Sequence, residues 1–372
     1  MLKTYFLFTL GCQMNVSDSE RIEAVLEKRG LKPADEKSAD LIIVNSCSVR
    51  QKPVDRIWGK VRVWSRINPK AKRILTGCIL PSDLKKLGEK FDFCFKIENI
   101  GQFKTYLTPH NLDEKNKSGS YLEVKPKRKN KRIMYVPIMT GCNNFCSYCV
   151  VPYTRGREWS RKPMAVVEEV ECLVKKGFKE IMLLGQNVCS YRNPKSKILN
   201  PKQIQNLKSK FQKNDFVELL KQLVKILGDF EISFMSPYPK DFSDELIDLI
   251  ARESKISKQI HLPLQSGDNQ ILKKMNRYYT TRQYSSLVDK LREKVKNVKI
   301  STDIIVGFPG ESKKSFQKTV NLAKKCRFVK AYVSIYSSRS GTMAEKKYND
   351  DVPMAEKKKR WLTLDQLING TN

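Results

Sequence analysis

The sequence predicts two α/β domains in tandem: a small open parallel sheet, then an incomplete barrel of six βα units. Three observations predict it. Short apolar runs alternate with helix-period segments along most of the chain. A polar, basic stretch over 108–132 separates two such series. Cysteines recur where predicted strands end, which is where parallel sheets carry their ligands.

The first domain spans 1–107. An apolar run over 5–10 reads as a buried strand, followed by Gly11-Cys12 and by Ser17, a good helix N-cap, with the helix reaching about residue 29. A second strand over 41–44 ends in Asn45-Ser46-Cys47, and a helical pattern follows Pro53. A third over 73–75 ends in Thr76-Gly77-Cys78, with a turn-and-helix signal at Pro81-Ser82-Asp83. Strands that alternate with helices pair in parallel, so Cys12, Cys47 and Cys78 fall at one end of the sheet. Scattered buried thiols are ordinary in cores. The repeated strand-exit context is what marks these three as a ligand set.

Residues 108–132 read as a linker closing on Lys125-Pro126-Lys127-Arg128-Lys129-Asn130-Lys131-Arg132, which suits a solvated tether or a phosphate contact equally. The second domain, 133–355, has strands expected over 133–139, 180–184, 230–234, 259–262, 299–306 and 330–335. Helical patterns lie over 163–175, 216–227, 241–252, 284–295 and 313–325. The active face of such a barrel is the carboxyl end of its strands. Residues 190–214 form a long Lys- and Asn-rich insertion, read as a surface loop, and 356–372 a terminal helix.

The loop after the first barrel strand carries Cys142, Cys146 and Cys149 as C-x3-C-x2-C. A 4Fe–4S cluster normally takes four thiolates. Three leave one iron open, and an open coordination position is what makes a metal site catalytic. Structural zinc would require a fourth ligand, yet the two histidines, His110 and His261, are far from Cys149 in sequence. Cys94, Cys172, Cys189 and Cys326 lack ligand spacing and are expected to be buried or half-buried free thiols.

With no signal peptide and no apolar run near eighteen residues, a soluble cytoplasmic protein is expected, where reducing conditions keep thiols available to metal. Lys and Arg number 71 against 39 Asp and Glu, a net charge of +32. Solubility does not require so much, so a polyanionic partner is implied. Nucleic acid fits better than an anionic membrane, because no basic amphipathic anchor helix is visible.

These motifs carry a resemblance. The compact cysteine motif, with Tyr148 just before its last cysteine, is similar to the signature of radical S-adenosylmethionine (SAM) enzymes. Leu10-Gly11-Cys12-Gln13-Met14-Asn15, Asn45-Ser46-Cys47-Ser48-Val49-Arg50 and Thr76-Gly77-Cys78 resemble the amino-terminal domain of the methylthiotransferases. Val150-Val151-Pro152-Tyr153-Thr154-Arg155-Gly156-Arg157-Glu158, His261-Leu262-Pro263-Leu264-Gln265-Ser266-Gly267 and Thr302-Asp303-Ile304-Ile305-Val306-Gly307-Phe308-Pro309-Gly310-Glu311 resemble the radical core. The match runs over about residues 3–365, and within the family it is most like the MiaB-type tRNA enzymes.

The resemblance implies a Rossmann- or flavodoxin-like first domain and a partial (β/α)6 TIM-type barrel. It implies two 4Fe–4S clusters, one on Cys142, Cys146 and Cys149 that binds and cleaves SAM, and one on Cys12, Cys47 and Cys78 that supplies sulfur. The product would be a methylthio group at C2 of N6-isopentenyladenosine beside the anticodon of a tRNA. Tyr148, Gly185, Gln186, Ser236, Gln265 and Asp303 are candidates for the SAM and substrate pocket, and Arg155 and Arg157 for phosphate or the SAM carboxylate. A one-electron reductant and a sulfur source or iron–sulfur assembly machinery are implied partners, and a monomer is expected.

Three departures stand out. The family's terminal β-barrel RNA-binding module would follow residue 372. Pro237-Tyr238-Pro239 stands where a histidine usually precedes the proline, and Cys189 stands where asparagine is usual. The same reaction on threonylcarbamoyladenosine stays open, as does a non-catalytic iron–sulfur RNA-binding protein; a ferredoxin suits three-thiolate clusters poorly.

Overall fold

The computed structural model describes residues 2–107, 121–128, 132–193 and 215–370. They group into two units that are not consecutive in the chain. One comprises Met1–Lys131, Ser147–Arg157 and Ser337–Lys347; the other Arg132–Cys146, Glu158–Tyr336 and Tyr348–Asn372.

The first unit is built on five parallel strands, β1 (Thr4–Thr9), β2 (Lys32–Pro33), β3 (Leu41–Cys47), β4 (Lys72–Cys78) and β5 (Phe93–Cys94). Their order is β2-β1-β3-β4-β5, the doubly wound flavodoxin order, as expected. Central β3 is buried at every position, so its apolar run does not alternate. Its two faces serve two cores. Leu41 and Ile43 pack with Ile22, Val25 and Leu26 of α1 (Gln13–Glu27). Ile42 and Val44 pack with Val54, Ile57, Val61 and Trp64 of α2 (Gln51–Ile67). Trp64 is fully buried and its Nε1 donates to Glu36 at 2.8 Å. Truncating it to alanine would cost about 3–5 kcal/mol. Helices α3 (Pro81–Leu87) and α4 (Ile100–Leu107) follow.

Three boundaries differ from expectation. Strands β3 and β4 do not stop at 44 and 75, because Asn45, Ser46 and Cys47 pair in register with Thr76, Gly77 and Cys78. Helix α1 begins at Gln13, not after Ser17: Cys12 takes the N-cap, and Ser17 lies inside the helix accepting from Arg21 at 2.7 Å. Within the stretch expected to be a linker, Tyr121 and Leu122 join the first unit's core, and Lys127 and Arg128 pair with Glu27 and Glu20 of α1. Residues 108–120 and 129–131 lie outside the described residues.

The second unit holds six parallel strands in two sheets. Strands β6 (Ile133–Pro137), β9 (Glu180–Leu184) and β10 (Glu231–Phe234) form one, ordered β10-β9-β6. Strands β11 (Gln259–His261), β12 (Lys299–Val306) and β13 (Lys330–Ile335) form the other. A bridge from Ile232 to Ile256 lies beside β10, and β10 borders β11, giving the predicted incomplete barrel. The end of the first predicted barrel strand separates as β7 (Met139–Thr140), which pairs antiparallel with β8 (Trp159–Ser160). Along β12, Ile300, Ile304 and Val306 enter the core, while Ser301, Asp303 and Ile305 stay half-buried on the opposite face.

Helix α5 (Val151–Thr154) belongs to the first unit; α6 (Pro163–Lys175), α7 (Asp215–Val224), α8 (Asp244–Arg252), α9 (Asn269–Lys274), α10 (Thr281–Lys294) and α11 (Lys313–Cys326) belong to the second. The remaining two are α12 (Met343–Lys347) in the first unit and α13 (Met354–Asn369) in the second. Helix α10 starts before residue 284 because Thr280 and Gln283 form a reciprocal capping box, and α8 starts at Asp244 because Ser243 caps it. Helix α9, capped by Asp268, was not anticipated. Residues 194–214 of the insertion lie outside the described residues. Among the described residues no helix is long and apolar enough to cross a membrane.

Candidate functional site

In the first unit the three strand-exit cysteines lie at the carboxyl end of the sheet. Cys47 and Cys78 are register partners on β3 and β4. Gly11, which precedes Cys12, comes so close that a Cβ there would lie 3.0 Å from the Cβ of Cys47. Glycine is required at two of these exits. Gly11 has φ +131° and Gly77 φ +104°, and a Cβ on Gly77 would fall 2.4 Å from the Ser46 carbonyl oxygen. The ends are tied together by Asn15, whose Nδ2 donates to the Ser46 carbonyl at 2.9 Å, and by Asn45, whose Nδ2 donates to the Asn15 carbonyl at 2.8 Å.

Cys47 and Cys78 are buried and Cys12 is exposed. Burial pushes the Cys78 thiol up to about 12, against the opposing pull of the Arg155 guanidinium, with the charges of Cys47, Asp18 and Cys12 raising it further. Cys47 is raised by burial and by Cys12, and lowered by its hydrogen bond from Val49 and by Arg155 and Arg50. That each thiolate is felt by its neighbours follows from their convergence.

Arg155 was expected beside phosphate or the SAM carboxylate. The structure instead commits its whole guanidinium inside the first unit. Nε donates to Cys78 Sγ at 2.8 Å, Nη1 to the Tyr121 hydroxyl at 3.0 Å and Nη2 to Asp18 Oδ2 at 2.6 Å. It is 4% exposed. Arg157, two residues on, is exposed. A second buried arginine, Arg339, donates to the Ser48 carbonyl at 3.0 Å and pairs with Asp83, bracing the turns after Cys47 and Cys78.

In the second unit lie the first two cysteines of the compact motif. Gly141 has φ +79°, so all three Gly-Cys pairs of the two motifs turn through positive φ. Burial pushes the Cys142 thiol up to about 11, with Asn144 lowering it and Glu158 and Cys146 raising it. Asn276 Nδ2 donates to the Phe145 carbonyl at 2.9 Å, holding the loop where Phe145 itself adopts φ +48°. Arg277 Nη1 donates to Cys146 Sγ at 3.6 Å, and its guanidinium stacks 4.3 Å from the Tyr238 ring centroid and 5.0 Å from that of Tyr279. The third cysteine, Cys149, and Tyr148 are half-buried in the segment that groups with the first unit, and the Val151 N–H points at Cys149 Sγ at 3.5 Å.

The remaining pocket candidates sit at the strand exits of the second unit. Gly185 follows β9, and a Cβ there would meet Met139 at 2.6 Å. Gln186 and Gln265 each keep a buried side-chain carbonyl oxygen without a partner. Gln265 has φ +68° and Ser236 φ +60°, strained positions for residues with a Cβ. Asp303 Oδ2 lies 2.9 Å from His261 Nε2, and His261 Nδ1 lies 3.0 Å from Ser301 Oγ.

Of the four remaining cysteines, Cys189 and Cys326 are buried and Cys94 half-buried. Cys172 departs from expectation: it is exposed, because the apolar stripe of α6 is Val166, Val170 and Leu173.

Among the described residues no three His, Cys, Asp or Glu side chains are gathered into a ready metal cage. The fit to an iron–sulfur group therefore rests on donor chemistry: two sets of three thiols, soft ligands that select such clusters, with an arginine donating to one sulfur of each. The orphaned carbonyl oxygens of Gln186 and Gln265 fit a polar small molecule at the barrel's strand exits. Asp18, Tyr121, Asn276 and Arg277 had no sequence signal, since each acts through a contact distant in sequence.

A family model described as the radical SAM superfamily matches residues 136–323, and one described as uncharacterized protein family UPF0004 matches residues 4–95. The tRNA-2-methylthio-N(6)-dimethylallyladenosine synthase of Clostridium botulinum is 40% identical, covering 98% of this chain and 81% of that protein. The synthase of the same name from Carboxydothermus hydrogenoformans is 40% identical over 99% of this chain and 84% of its own length. Among solved structures, the radical SAM methyltransferase TsrM from Kitasatospora setae, with cobalamin and a 4Fe–4S cluster bound, superposes with TM-score 0.62. It is 15% identical, covering 93% of this chain and 77% of that one, a likeness of fold alone.

Proposed function

This chain belongs to the tRNA-2-methylthio-N(6)-dimethylallyladenosine synthase family of radical SAM methylthiotransferases, and from that premise we propose that it carries the family's reaction. It is a radical SAM enzyme that transfers a sulfur-containing group, and its cofactors are SAM and 4Fe–4S clusters. The substrate is a tRNA bearing N6-isopentenyladenosine next to the anticodon, and the product carries a methylthio group at C2.

The observation that most supports this reading is the second thiol trio. A radical SAM enzyme needs one three-thiolate site, and Cys142, Cys146 and Cys149 provide it. Cys12, Cys47 and Cys78 converge at the carboxyl ends of a separate parallel sheet, which suits a second site with a different task. When bound, the two clusters supply one-electron cleavage of SAM and a transferable sulfur.

The chain's own residues do the rest. Gln186 and Gln265 offer acceptors to the ammonium and hydroxyl groups of SAM, and Ser236 and Asp303 stand at neighbouring strands. The barrel strands exclude water on their helix-facing side through Ile300, Ile304 and Val306. Arg157 and the surplus of basic residues bring in the RNA backbone, an attraction that salt weakens. The electron comes from a one-electron cellular reductant, sulfur is restored by the iron–sulfur assembly machinery, and the protein works in the cytoplasm as a monomer.

The test is nucleoside mass spectrometry on tRNA after anaerobic reconstitution with iron, sulfide, SAM and reductant. A methylthio product on isopentenyladenosine is expected. Product only on threonylcarbamoyladenosine would move the activity to the other base. SAM cleavage without any modified base would overturn the assignment of substrate.

A further inference from the structure

We propose that Arg155 is a positioning residue for the dispersed cysteine trio, held by Asp18 and Tyr121 so that its Nε–H is aimed at the sulfur of Cys78. This rests on the reading that Cys12, Cys47 and Cys78 hold a cluster, and it changes the role of a residue that lies in the compact motif's own stretch of sequence.

The geometry engages every nitrogen of the guanidinium. Asp18 Oδ2 takes Nη2 at 2.6 Å, the Tyr121 hydroxyl takes Nη1 at 3.0 Å, and Nε remains for Cys78 Sγ at 2.8 Å. Asp18 is fully buried, Arg155 4% exposed and Tyr121 2% exposed, so none of the three can swing to solvent for an alternative partner. Three contacts on a planar fork fix its orientation, which a flexible ammonium could not reproduce. With each of its three nitrogens engaged and the side chain buried, this arginine is not presented to phosphate in solvent.

The electrostatics give the arrangement a purpose. Three thiolates at one end of a sheet, two of them buried, concentrate negative charge where desolvation is costly. Arg155 supplies the compensating cation, and Asp18 offsets part of it. Net charge and hydrogen bonds to the ligating sulfurs are what set an iron–sulfur cluster's reduction potential. Asp18 and Arg155 therefore act on Cys78 in opposite directions, one through the other. In sequence Arg155 lies six residues after Cys149, and in the fold it belongs to the first unit.

The test isolates the dispersed trio by replacing Cys142, Cys146 and Cys149 with alanine, then reads iron and sulfide content, the EPR signature and the reduction potential after reconstitution. Arg155→Met in that background is expected to lower the potential and to reduce cluster occupancy several-fold. Asp18→Asn is expected to shift the potential upward, because the arginine's charge is then uncompensated. Arg155→Lys, which keeps charge but loses the fork, should fall between parent and Arg155→Met. If Arg155→Met takes up no cluster, the sign of the Asp18→Asn shift decides. Loss of potential in both variants, or no change in either, overturns the proposal. Absence of iron from the parent with Arg155 and Asp18 intact would instead overturn the assignment of the trio as a cluster site.

Discussion

Cys47 and Cys78 are placed by a sheet, whereas Cys142 and Cys146 are placed by a loop, and the two devices fail differently. In the first unit the ligand positions inherit the register of β3 and β4, so thiols far apart in sequence are fixed by backbone pairing and by two glycines at positive φ. In the second unit the ligands are neighbours in sequence, and their loop is pinned from outside by Asn276 and Arg277. A sheet-borne site is as rigid as the fold that makes it, but a small backbone error spreads to every ligand. A loop-borne site depends on a few side chains and degrades by degrees.

Removing the ligands themselves separates the two sites most sharply. Alanine at Cys142, Cys146 or Cys149 is expected to abolish SAM cleavage, followed as release of 5′-deoxyadenosine. Alanine at Cys12, Cys47 or Cys78 should leave cleavage in place and abolish the methylthio product. If the second group also stopped cleavage, the two trios would not divide the labour.

Backbone sensitivity is the next largest effect. At Gly77, φ is +104° and an added Cβ would lie 2.4 Å from the Ser46 carbonyl oxygen and 2.5 Å from Asn45 Oδ1. Gly77→Ala should cost about 1–2 kcal/mol for the conformation alone, more for the clash. It should also strip most of the iron from the dispersed trio. Gly30, at φ +80° with nothing within 4 Å of an added Cβ, is the control. Gly30→Ala should show the conformational cost in thermal unfolding without any loss of iron. Equal iron loss in both variants would mean that global stability, not register, governs the sheet-borne site.

The loop-borne site should respond more gently. Arg277 contributes one hydrogen bond to Cys146, one at 3.1 Å to the Pro263 carbonyl, and stacking on two tyrosines. Arg277→Met should weaken iron retention by about 10–100-fold, as outer partners of metal ligands commonly do. Retention during chelator challenge would measure it, and Arg277→Lys should recover part of the loss.

The comparison also explains what was legible in the sequence. Gly11-Cys12, Gly77-Cys78 and Gly141-Cys142 could be read directly, because a local backbone turn leaves a local signature. The strand order was legible in kind, since alternation of strands and helices leaves few parallel topologies. Arg155 carries a signal in the sequence, but the identity of its neighbours does not. Its partners Cys78 and Asp18 are 77 and 137 residues away, and only the folded sheet makes them adjacent. Arg277 left no signal at all, being 131 residues from Cys146. Helix starts shifted wherever a cap was contributed by an unexpected residue, as at Cys12 and Thr280.

The smallest expected effect tests whether three thiols per site is the full count. Cys189 is the strongest candidate for a seventh ligand, since it lies in the second unit at the turn after β9, close to the barrel's strand exits. Its surroundings argue against the role. It is buried, its thiol is driven upward first by desolvation and then by the charge of Asp241, and no cation offsets them as Arg155 does at Cys78. A ligand must be a thiolate; burial raises the Cys78 and Cys142 thiols too, but Arg155 and Arg277 pull those two back, whereas at Cys189 only the hydrogen bond from Tyr238 does. Cys189→Ala should cost about 1 kcal/mol of stability through the small cavity it leaves and change neither iron content nor EPR signature. A drop in iron by even a fraction of one cluster would place a fourth thiolate in reach of a site that SAM needs open, and the contrast between open and closed coordination would have to be redrawn.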